Sequence, residues 1–67
     1  MKKEEALKTQ TLALEAIRNL TQILYVIERT PEYELLKKAT GISIGRIQTD
    51  ILDVIYKEYP EIDDLES

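Results

Sequence analysis

Apolar residues recur along the first third of the chain at the spacing of a single helix. Ala6, Ala13, Ile17, Leu20, Leu24 and Ile27 fall on one stripe, and Leu7, Leu14, Ile23 and Val26 widen it beyond what one packed face needs. Residues 3–29 contain no proline or glycine and are rich in good helix formers. A helix of ~27 residues would run ~40 Å, longer than a three-helix domain of this size covers. The reading is therefore that residues 1–18 project and pair with a second copy through Leu7, Leu14 and Ile17. The alternative is a break near Asn19-Leu20-Thr21, with the N-terminal piece folding back as a fourth helix.

Thr30-Pro31-Glu32 reads as a helix restart, with Thr30 as N-cap and Pro31 at the first helical position. Beyond it the apolar pattern changes. Leu35, Leu36 and Ala39 share a face, then Thr40-Gly41-Ile42-Ser43 looks like a tight turn. Gly41 supplies the φ > 0 position past a helix end, Ile42 a buried hinge, and Ser43 the N-cap of the next helix. Ile47, Ile51, Val54 and Ile55 give that helix an inward stripe until Pro60 stops it. No strand is indicated. The expected fold is all-α: a long N-terminal helix, then a helix-turn-helix pair over residues 19–59, then a flexible acidic tail over 60–67.

Ile42-Ser43-x-x-x-Ile47-x-x-Asp50-Ile51 resembles the turn and recognition helix of DeoR-type repressors. Ala39-Thr40-Gly41-Ile42-Ser43 is similar to the turn of IclR-like winged-helix regulators. The resemblance covers about residues 20–56. The paired arginines of the DeoR-type pattern fall on Gln48 and Thr49, and no β-wing is expected after the helix. The resemblance implies that residues 43–59 enter the DNA major groove.

Charge bears on that implication. The formal net charge is −4, which does not suit a phosphate binder. Five of the thirteen acids lie in the last ten residues, however, so residues 1–57 carry nine basic and eight acidic side chains. The body is near neutral and the end is acidic.

Chemistry narrows the choice further. The chain has no His and no Cys, and its serines, Ser43 and Ser67, have no base beside them in sequence. No glycine-rich phosphate cradle is present, and Asp50 with Asp53 offers only two ligands to a metal. Catalysis, cofactors and metals are not expected, and no segment reads as a membrane span or signal peptide. For DNA, Arg46 can pair with guanine, Gln48 with adenine, and Thr49 with a base or phosphate. Ile44, read as exposed, can meet a thymine methyl, and Gly45 allows close approach. Lys37, Lys38 and Ser43 would set the register on phosphate. The tyrosines do not reach the turn; Tyr25 and Tyr56 are read as core-bordering, and Tyr33 as a staple between the second and third helices.

Two functions fit these features. One is a small dimeric transcriptional regulator, cytoplasmic and of bacterial or phage type, that reads double-stranded DNA. The other is a non-catalytic protein-interaction module built on the same fold. An Arg46→Ala change weakens the first, and an Ile44→Asp change the second.

Overall fold

A computed structural model of the chain describes residues 1–63, and within them the fold is all-α. Helix α1 spans Lys3–Ile27, α2 spans Tyr33–Ile47, a π-helical turn covers Gln48–Leu52, α3 spans Asp53–Glu58, and α4 spans Pro60–Asp63. The α2, π and α3 segments are joined into one helix of 26 residues. The molecule is thus a hairpin of two long helices with a short helical turn closing one end, and measures 44 × 19 × 15 Å.

The long N-terminal helix is as expected, and it does not break at Asn19-Leu20-Thr21. Its start is fixed by Glu5, whose carboxylate accepts the Lys2 backbone N–H at 2.7 Å. Thr30 does not cap the following helix. Its hydroxyl donates back to the Ile27 carbonyl at 2.8 Å, closing the end of α1, and α2 begins at Tyr33.

The turn at Thr40-Gly41-Ile42-Ser43 does not form. These residues lie inside α2, no glycine takes a positive φ, and the Ser43 hydroxyl donates to the Ala39 carbonyl one turn back at 3.0 Å. The physical reason lies in the spacing. Thr40, Ile44 and Ile47 are four and three apart, so an unbroken helix turns all three toward α1, leaving Thr40 buried and Ile44 and Ile47 half-buried. Ile42 then points away and is 56% exposed, where the turn would have made it a hinge. The propensity penalty of two mid-helix glycines is about 1 kcal/mol each, smaller than the burial gained along a full-length helix.

The unbroken helix also answers the length problem of α1. At about 39 Å it covers α1 from end to end, so residues 1–18 have a partner within the chain. Ala6, Ala13, Leu52, Ile55 and Ile62 form the core at that end, with Leu7, Leu14 and Ile17 packed against it. Instead of projecting, the N-terminal half of α1 lies against the core and contributes Ala6 and Ala13 to it.

The π turn sets which residues reach that core. Inward positions run Thr40, Ile44, Ile47, Leu52, Ile55, Tyr59 and Ile62, all buried or half-buried. Every step is three or four residues except Ile47 to Leu52, which is five. A π turn absorbs one extra residue, and here it sits on that step. Leu52 is consequently 1% exposed while Ile51 and Val54, expected inward, are 39% and 56% exposed.

At the closed end, Tyr59 leaves the helical region at φ −133°, ψ 75°, as the residue before a proline tends to do. Pro60 then opens α4 instead of ending the ordered chain, and Ile62 plugs the core. Gln10, buried in α1, donates from Nε2 to the Tyr56 hydroxyl and to the Ile62 carbonyl, both at 3.2 Å. The Met1 ammonium meets Glu58 at 3.5 Å, Lys3 meets Glu61 at 3.8 Å, and the Tyr59 hydroxyl donates to the Met1 carbonyl. Of the expected acidic tail, residues 64–67 lie outside the described residues.

Candidate functional site

The DNA-reading set from the sequence lies entirely on the 26-residue helix. With no turn between them, successive residues there are rotated by about 100°, so the set divides by helical spacing. Lys38, Gly45 and Thr49 share one side, Lys37, Ile44 and Gln48 a second, and Ser43 and Arg46 a third. The helix does not gather them on a single edge.

Several are also engaged locally. Arg46 pairs with Asp50 at 3.3 Å, an exposed i,i+4 ion pair. The Thr49 hydroxyl donates to the Gly45 carbonyl at 3.0 Å. The Lys37 ammonium lies 5.5 Å from the centre of the Tyr33 ring, a cation–π contact. Ile44, expected to be exposed, is half-buried because it belongs to the inward stripe; Lys38, Gly45 and Gln48 are exposed. Gly45 has open space where a Cβ would sit.

Tyr33 faces α1 instead of stapling α2 to the helix after it, lining a small recess with Thr21, Leu24, Tyr25 and Glu28. Tyr25 is 69% exposed there, more than a core-bordering ring would be. Tyr56 does border the core. Burial, followed by the negative charges of Glu58, Glu5 and Glu61, holds the Tyr59 phenol above its ordinary pKa.

One surface feature is not suggested by the charge pattern. A groove of about 250 Å³ runs between the two long helices, lined by Thr9, Leu12, Ala13, Ala16, Ile47 and Ile51. None of these six is charged. Ala13 and Ala16 leave space where larger side chains would close the interhelical seam. Leu12 stands at its edge, 58% exposed, and Ile23 continues the same flank of α1. Leu36, at 39% exposure, continues the flank on α2.

One sequence signal bears on this groove, the apolar pair Ile47 and Ile51 spaced four apart, of which Ile51 lies within the π turn. Among the described residues no group of His, Cys, Asp and Glu side chains is arranged to hold a metal, and no described helix is long and apolar enough to cross a membrane. Comparison with known proteins returns no matching family, no matching curated protein and no matching solved structure.

Proposed function

We propose that the chain is a non-catalytic protein-interaction module, a two-helix hairpin that binds by packing an apolar flank against a partner. The observation that carries this reading is the imbalance of apolar exposure. Among the described residues, ten large hydrophobic side chains are exposed, while the fully buried large ones are Leu52, Ile55 and Ile62. Single exposed aliphatics are ordinary on a surface, but an uncharged groove edged by exposed Leu12, with Ile23 and Leu36 exposed farther along the two helices, is an apolar surface of the kind that partners cover.

A small DNA-binding regulator is the second reading. It draws on exposed Lys37, Lys38, Arg46, Gln48 and Thr49 and on the near-neutral charge of residues 1–57. It is supported less well, because those side chains point to three sides of one helix and Arg46 already holds a carboxylate.

Selection from a random duplex pool, with a salt titration, separates the two. An interaction module enriches no sequence and shows no steep salt slope, and Arg46→Ala changes nothing in partner binding. Enrichment of a palindrome with affinity falling steeply in salt, lost in Arg46→Ala, would refute the module and establish the regulator.

A further inference from the structure

On the reading of the chain as an interaction module, the identity of its partner can be argued further. We propose that the groove lined by Leu12, Ala16, Ile47 and Ile51 is filled by the same groove of a second copy of this chain. The two hairpins pack antiparallel about a two-fold axis as a four-helix bundle.

Three observations converge on a second copy. The first is area. The chain exposes 5198 Å², whereas a compact monomer of 7.8 kDa exposes about 4,400 Å². The excess, roughly 800 Å², is what each partner contributes to a standard protein–protein interface. It follows from shape: the radius of gyration is 14.1 Å, against about 11 Å for a compact chain of this length. A two-helix rod has only one neighbour per helix, and lying a second rod along it restores a two-layer core.

The second is self-complementarity. An isologous interface requires that a residue and its contact exchange roles across the axis. Leu12 and Ala16 are one helical turn apart on the groove flank, a projecting side chain beside a small one. In an antiparallel pairing centred between them, Leu12 of each copy sets into the space above Ala16 of the other. The groove volume exceeds the ~150 Å³ opened by cutting one buried leucine to alanine, so it has room for more than one aliphatic side chain.

The third is charge. Two copies of a chain with net charge −4 repel unless their acids are kept apart. The groove lining carries no charge, and the Arg46–Asp50 pair is internally neutral. Glu58 and Glu61, paired with the Met1 ammonium and Lys3, lie with Asp63 at one end of a 44 Å molecule, so antiparallel packing places these charged ends at opposite ends of the bundle. Such separations far exceed the Debye length of about 8 Å at physiological salt.

The experiment is sedimentation equilibrium of the full chain from micromolar to millimolar concentration, with Ala16→Arg alongside. Wild type sediments at twice the 7.8 kDa chain mass. Ala16→Arg keeps its helical circular dichroism and raises the dissociation constant by roughly a hundredfold or more, because it buries an unpaired guanidinium. Should Ala16→Arg lose helicity, isotope-filtered NOEs in mixed labelled and unlabelled wild type decide the matter, with Leu12 methyls meeting the Ala16 methyl of the other copy. A wild type that stays at 7.8 kDa throughout overturns the second copy. So does a dimer whose intermolecular NOEs come from Leu35 and Ile42 in place of the groove. A monomer that still captures a different protein, in a manner lost with Ala16→Arg, refutes self-association and spares the interaction reading. A monomer that captures nothing refutes both.

Discussion

Replacing Gly41 by alanine separates an unbroken helix from a helix-turn-helix by the sign of its effect. In the structure Gly41 is exposed inside α2, has no positive φ, and a Cβ built on it meets nothing within 4 Å. Alanine is better than glycine in a helix interior by about 0.8–1 kcal/mol, and no contact offsets that gain. For a chain of 67 residues the unfolding entropy is about 0.14 kcal/mol per kelvin, so Gly41→Ala should raise Tm by about 6–7 °C. Gly45, equally open, should add a similar increment in the double variant, since neither new methyl touches another group. If Gly41 instead held a left-handed turn, alanine would cost about 1–2 kcal/mol and lower Tm by roughly 7–14 °C. Thermal melts followed by circular dichroism at a single fixed concentration distinguish the two, concentration being held because an oligomer's Tm depends on it. A fall in Tm for Gly41→Ala would refute the continuous helix and everything built on it.

Three further outcomes follow from the register and the closed end. Deleting Asp50 converts the five-residue step between Ile47 and Leu52 into a four-residue one, so the π turn should revert to α-helix with a loss of less than about 1 kcal/mol by chemical denaturation, whereas deleting Gln22 from α1 should unfold the hairpin. Ile55→Ala should cost about 2–5 kcal/mol and Val54→Ala within about 0.5 kcal/mol; equal losses would contradict the shifted register. Because the Tyr59 pKa is raised in the folded chain, the stability it contributes is complete below the ordinary tyrosine value near 10 and is lost as pH climbs through the higher folded value. Tyr59→Phe should therefore lose less stability above about pH 10 than wild type, measured by urea titration at pH 8 and pH 11.

The all-α class and the long first helix were legible because residues 3–29 carry an uninterrupted 3.6-residue pattern with no breaker. The second helix was not legible as one element, because Thr40-Gly41-Ile42-Ser43 is locally consistent with two structures. As a turn it buries Ile42; as helix it buries Thr40 and half-buries Ile44. What decides is the partner helix, a tertiary term that no window of 34–55 contains. With a turn in place the second helix is too short to cover α1, which leaves Leu7, Leu14 and Ile17 to a second chain; with the turn absent they pack against the chain's own core.

The register beyond Ile47 failed for a different reason. Ile51 and Leu52 are both apolar, as are Val54 and Ile55, so either register satisfies the pattern and only the π turn selects between them. The groove is barely legible in the sequence: the residues that widen the α1 stripe do not line it, and its alanine floor has no signature apart from helix propensity.

The continuity of residues 33–58 can be measured as a distance. The chain contains no cysteine, so nitroxide labels at Glu34→Cys and Lys57→Cys are uniquely placed, and dilution with unlabelled chain suppresses signals between copies. An unbroken helix separates those positions by roughly 35 Å, at 1.5 Å rise per residue. Two helices meeting at 90–120° across a turn at residues 40–43 would bring them to roughly 18–23 Å. A pulsed electron-resonance distribution centred near the longer distance is the expected result, and one centred near the shorter would contradict the hairpin and the apolar groove that depends on it.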